Sequence, residues 1–107
     1  MKIVAMVCGV LIFSNSFADE LNAGRAKADS ACALCHGFSG IATMPGAPNL
    51  AGQQPVYLAE QLSHYRSGKR QHDIMGVIAK SLTDLEISQL AAWYSGIKVT
   101  VEMPGTQ

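Results

Sequence analysis

Two spacings organise the apolar positions of this chain. An unbroken apolar run from Ile3 to Phe13 follows the charge at Lys2 and closes on Ser16-Phe17-Ala18. A charged start, an apolar centre and a small-x-small exit have the form of an export signal, and they predict cleavage before Asp19. Eleven apolar residues fall well short of the roughly 20 that span a bilayer. Stable membrane insertion is therefore not expected, and residues 19–107 should form one soluble domain.

Beyond the signal the spacing turns helical. From Leu21 to Cys35, Ala and Leu recur at helical intervals with no proline and only Gly24 as a weak helix former, which predicts a first helix. Pro55 suits a first helical turn, and Leu58, Leu62 and Tyr65 follow at i, i+4 and i+7 before Gly68 stops the run. That is a second helix. Ile74 to Ser81 predicts a short one. Thr83-Asp84-Leu85-Glu86 is a capping box, in which hydroxyl and carboxylate satisfy each other's exposed backbone N–H groups. It should open a last helix running from Asp84 to about Ser95, stopped by Gly96, with an extended tail from Ile97 to Gln107. Between the first two helices, the stretch Gly37 to Gln54 has five glycines or prolines in its first dozen residues and should be an irregular loop. No strand alternation or internal repeat is present. The expected class is all-α, with three main helices and a short one.

A length of 107 residues fits one domain. With Lys2 removed alongside the signal, seven basic residues face eight acidic ones. Such a balance lacks the basic stripe that phosphate binding needs, which excludes nucleic acid as the partner. Domains this small bury only about 60% of their surface and often rely on a disulfide, metal or cofactor. Cys8 leaves with the signal, so attention falls on Cys32 and Cys35.

These two belong to Cys32-Ala33-Leu34-Cys35-His36, a C-x-x-C-H motif. One helical turn apart, the two sulfurs lie on one side and match the two vinyl groups of a haem, while the next residue projects its imidazole toward the iron. Other uses of the cysteines fit less well. A thioredoxin-type pair belongs beside a parallel β-α-β pattern and would tolerate any residue at position 36. Zinc needs two further ligands at ordered spacing, and His64 and His72 are eight residues apart, outside the usual H-x₃₋₅-H.

Around the motif the chain resembles the class I c-type cytochromes, in particular the short bacterial monohaem type related to the dihaem cytochromes c and to the cytochrome subunits of sulfide dehydrogenases. Four segments carry the resemblance: Gly24 with Cys32 through Gly37, Ala47-Pro48-Asn49-Leu50-Ala51-Gly52-Gln53, Tyr57 through Arg70, and Leu82 through Trp93. It implies the cytochrome c fold, helices wrapped around one haem c that is thioether-linked to Cys32 and Cys35 and bound at iron by His36. It further implies that Pro48 offers its carbonyl to Nδ1 of His36, that Leu50 packs on the proximal face, and that Gly24 lets the first helix approach the last near Leu90 and Trp93.

For the second axial position the residues offer Met44, Met75, Met103, His64 and His72. By resemblance Met75 is the ligand, because it aligns with the family's axial methionine, and Pro48 keeps Met44 on the His36 side. His72 remains the alternative, giving a bis-His haem. Arg66, Lys69 and Arg70 cluster at the end of the second helix as solvated charge complementing its dipole, or one or more of Tyr57, Arg66 and Arg70 pair with the haem propionates. A thioether favours ferrous iron. The function implied is single-electron transfer in the periplasm, by a monomer or in transient complexes with redox partners. A cytochrome subunit of a flavin-bearing sulfide dehydrogenase is the alternative. Catalytic residues are not expected.

Overall fold

The computed structural model describes Met1, Gly9 and residues 16–105, so the apolar run of the expected export signal lies almost wholly outside the described residues. Helix α1 covers Phe17–Ala31, starting four residues before the expected Leu21. Ser16 explains the earlier start, since its hydroxyl accepts from the Asp19 N–H at 3.4 Å, and Asp19 and Glu20 place negative charge in the first turn.

The expected continuation of this helix to Cys35 does not occur. Helix α1 ends at Ala31, and a single separate turn, α2, spans Ala33–His36. Cys32 is the joint. Its N–H still bonds to the Ala28 carbonyl at 2.9 Å, but at φ −119° the backbone is too open to carry the ladder on. The Cys32 carbonyl then accepts from both Cys35 and His36, at 3.3 and 3.0 Å, and the helix restarts as one turn. Gly37 closes that turn at φ 78°, with its N–H on the Ala33 carbonyl at 2.8 Å.

The remaining helices follow the spacing closely. Helix α3 covers Pro55–Ser67, with Pro55 at its start and Gly68 left-handed at its end. Helix α4 covers Asp73–Lys80 and α5 covers Asp84–Gly96. Both halves of the capping box are formed: Thr83 Oγ1 accepts from the Glu86 N–H at 3.1 Å, and Glu86 Oε2 accepts from the Thr83 N–H at 2.9 Å. Gly96 is the last helical residue rather than the stop, and Ile97, extended at φ −74° and ψ 121°, takes the chain out. Residues 98–103 carry no regular structure, and the described residues contain no strand. The loop from Gly37 to Gln54 is free of helix, as its composition predicts.

Helix α5 is the centre of the packing, with α1 and α3 against it and α4 resting on α3. Its buried residues Ile87, Leu90, Ala91 and Tyr94 form the core with Ala28, Leu58, Ala79 and Leu82. The α1–α5 crossing is close because Gly24 has no Cβ; one built there would overlap the Gln89 carbonyl and reach Trp93 Cβ at 3.0 Å. Polar side chains pin the same crossing, with Lys27 3.0 Å from Glu86 and Gln89 donating to Glu20 at 2.9 Å. The loop is tied to the end of α5 by the Gly52 N–H, which donates to the Tyr94 carbonyl at 2.9 Å. The fold is thus all-α, with the C-x-x-C-H turn at one end of the α1–α5 pair.

Candidate functional site

His36 ends the single turn α2 and is buried, at 7% exposure. Its ring is held by the loop it precedes. Nδ1 lies 2.8 Å from the Pro48 carbonyl, so that nitrogen carries the proton and donates, leaving Nε2 as the basic nitrogen. A proline at this position has no N–H to compete in the loop's own bonding. Further bonds fix the loop behind the motif: Thr43 and Met44 both donate to the Cys35 carbonyl, at 3.1 and 3.2 Å, and Leu50 and Ala51 donate to the Gly40 carbonyl at 2.7 and 3.0 Å.

Cys32 and Cys35 are free thiols, each half-buried. Burial raises the Cys32 thiol above its ordinary range, against smaller opposing effects of the neighbouring Tyr94 hydroxyl and Lys27. Tyr94 is itself pushed upward, by burial first and then by Cys32. Its hydroxyl is buried near that sulfur without a hydrogen bond of good geometry. Nothing in the sequence marked this neighbour of Cys32, because Tyr94 follows it by more than sixty residues and meets it only through the α1–α5 packing.

The structure therefore brings together Cys32, Cys35, His36 and Pro48, with Leu50 half-buried against the core. Met75 sits apart, half-buried in the first turn of α4, on the element that packs against α3. His72 is the N-cap of that helix: its Nδ1 accepts from the N–H groups of Ile74 and Met75. His64 lies on α3, 3.8 Å from Glu60. The zinc alternative finds no ligand set, since the described residues hold no group of three or more His, Cys, Asp or Glu side chains able to hold a metal ion. Arg66 is engaged within the polypeptide. Its guanidinium donates to Asp84 at 2.6 Å and to the Leu82 carbonyl at 3.0 Å, clamping α3 to the entrance of α5. Arg70 lies over the Tyr65 ring, 4.7 Å from its centroid, and donates to Gln61 at 2.9 Å.

Residues 21–97, which include the motif, the proline loop and all of α3 to α5, match the family model described as cytochrome c. The chain belongs to the cytochrome c family. Cytochromes c hold haem c covalently and transfer electrons. Cytochrome c4 from Thiocapsa roseopersicina is 42% identical over 73 residues, covering 68% of this chain and 38% of that protein. The chain spans about two fifths of the length of the first curated relatives it matches. Among solved structures, cytochrome c4 from Acidithiobacillus ferrooxidans superposes with a TM-score of 0.68 at 31% identity, covering 71% of this chain and 49% of the other. Thiosulfate dehydrogenase from Marichromatium purpuratum gives a TM-score of 0.69 at 34% identity over 73% of this chain and 19% of the other. These likenesses show the cytochrome c fold. No helix among the described residues is long and apolar enough to cross a membrane.

Proposed function

We propose that this cytochrome c is a periplasmic single-electron carrier holding one haem c, with Cys32 and Cys35 as its thioether anchors and His36 and Met75 as its axial ligands. The observation that carries the reading is the 2.8 Å contact between His36 Nδ1 and the Pro48 carbonyl. A metal-binding histidine ordinarily gives its second ring N–H to such an acceptor, which fixes the tautomer, aims Nε2 and raises its basicity. The donor set fits the group: two free thiols one turn apart next to a buried imidazole with a single basic nitrogen. Leu50 would pack on the same side of the macrocycle as Pro48.

When bound, the haem supplies the redox chemistry, its iron passing between ferric and ferrous states. The chain's own residues fix the setting of that exchange. Held by His36 and Met75, the haem would have no position left open to oxygen or peroxide. That arrangement favours electron exchange over catalysis. A thioether also stabilises ferrous iron and so raises the potential.

The exported form would begin at Asp19, and intact mass of protein recovered from the periplasm, equal to residues 19–107 plus one haem, checks export, cleavage and haem count together. The ligand assignment is checked by the weak red charge-transfer band that a methionine–ferric haem bond produces. Wild-type protein should show it, and Met75→Ala should abolish it and lower the reduction potential. Absence of the band from the wild type would rule out Met75.

The likeness to part of a thiosulfate dehydrogenase favours a second reading, in which the chain serves as the cytochrome subunit of a periplasmic oxidoreductase. Native mass spectrometry of protein purified from its own host separates the two. A free carrier runs as a monomer, and a subunit co-purifies with a larger enzyme such as a flavoprotein.

A further inference from the structure

His72 stands three residues before Met75 and is bonded to the backbone of that residue. We propose that His72 is a positioning residue for the axial methionine, its imidazole serving as the N-cap that fixes the first turn of α4 and with it the direction of Met75. The inference rests on the reading of Met75 as ligand.

Helix α4 has eight residues, Asp73–Lys80, and a helix of two turns is marginal without outside support. Its first N–H groups have no partner within the helix. Nδ1 of His72 supplies one, accepting from Ile74 N–H at 3.2 Å and Met75 N–H at 3.3 Å. Packing adds little at this end, where Ile74 is 54% exposed. The cap is itself anchored, because the His72 ring meets Tyr65 of α3 edge-on, with centroids 6.4 Å apart at 76°. One side chain therefore joins the first turn of α4 to the helix on which α4 rests. Histidine is an unusual choice for an N-cap, a position dominated by Ser, Thr, Asp and Asn. As an acceptor Nδ1 is neutral and already engaged, so ligation through that nitrogen would break both bonds to the turn.

A thioether is a soft ligand and holds ferric iron weakly. Small losses in the positioning of Met75 should therefore appear as a larger population with the methionine off the iron. Haem-loaded wild type, His72→Asn, His72→Ala and Met75→Ala test this, read by the ferric charge-transfer band and by the apparent affinity for added imidazole, which must displace the methionine. His72→Asn keeps a capping acceptor and should keep the band and the wild-type affinity. His72→Ala removes the cap and should weaken the band and raise imidazole affinity by roughly five- to tenfold. An Ala variant identical to wild type in both readouts would overturn the proposal, as would Asn and Ala variants equally perturbed. A Met75→Ala protein that keeps the wild-type band would instead refute the ligand reading, and the inference would fall with it. If Met75→Ala leaves the low-spin spectrum intact and both His72 variants lose it, His72 is the ligand itself.

Discussion

At the scale of single residues, the chemistry depends on polar contacts that give one side chain two duties. Glu86 is the clearest case outside the haem site. Its carboxylate accepts from the Thr83 N–H, closing the capping box, and lies 3.0 Å from Lys27 of α1. The backbone bond first, and Lys27 after it, hold the carboxyl below its ordinary value of 4.5. A carboxyl depressed in the folded chain binds its proton more readily once unfolded. The stabilisation is therefore complete above the unfolded value and is lost as pH falls through the folded one. Thermal stability measured from neutral pH down into the acid range should accordingly fall more steeply in wild type than in Glu86→Gln, whose neutral amide keeps the shape but cannot titrate. Identical pH profiles would mean that the cap and the Lys27 pair contribute nothing measurable.

At the scale of the helices, the α1–α5 crossing holds the C-x-x-C-H turn against the rest of the molecule, and Gly24 sets how close that crossing is. Alanine there would gain helix propensity, worth about 1 kcal/mol in an exposed position. Its Cβ would nonetheless overlap the Gln89 carbonyl, a backbone atom that cannot rotate away. Separating two helices joined by a buried core costs about 1–3 kcal/mol, so Gly24→Ala should destabilise the haem-loaded protein despite the better propensity. Urea unfolding with an unchanged m-value reads this directly; a Gly24→Ala protein more stable than wild type would show that the crossing has room. Helix α1 also shows a boundary that local pattern does not contain. Ala, Leu and Cys continue the helical spacing through Cys32, and the break there arises from the loop bonds to the Cys35 carbonyl and the closure at Gly37.

For the whole molecule, the polypeptide core is small and lies along α5. Large apolar side chains in and near the motif are left uncovered by the chain itself, including Leu34 at 84% and Phe38 at 73% exposure. The loop from Gly37 to Gln54 has turns at Gly37, Gly40, Gly46 and Gly52 with positive φ, and its order carries a large entropy cost, offset only in part by the bonds it makes to the Cys35, Gly40 and Tyr94 carbonyls. A covalently held haem would act as a ligand that never dilutes away and would stabilise the native state accordingly. Cys32→Ala combined with Cys35→Ala should give protein with weak cooperative unfolding, rapid hydrogen exchange between residues 37 and 54, and early proteolysis there. A haem-free double variant that melts cooperatively with this loop protected would show that the core along α5 suffices alone.

The amino-acid sequence by itself determined what depends on near neighbours. Helices α3, α4 and α5 follow from apolar spacing, Pro55, Gly68 and the Thr83–Glu86 box because each signal acts within a turn or two of where it is written. The C-x-x-C-H motif was legible for the same reason, since its three reactive groups occupy five consecutive residues. The Pro48 contact came from likeness to a family, not from local physics. Only the tertiary structure decided the joint at Cys32, the burial of Tyr94 beside that thiol and the engagement of Arg66 with Asp84. Arg66 and Asp84 are separated by eighteen residues, and Tyr94 and Cys32 by far more. Such contacts are set by which helix faces meet once the core closes, and that depends on the whole chain at once.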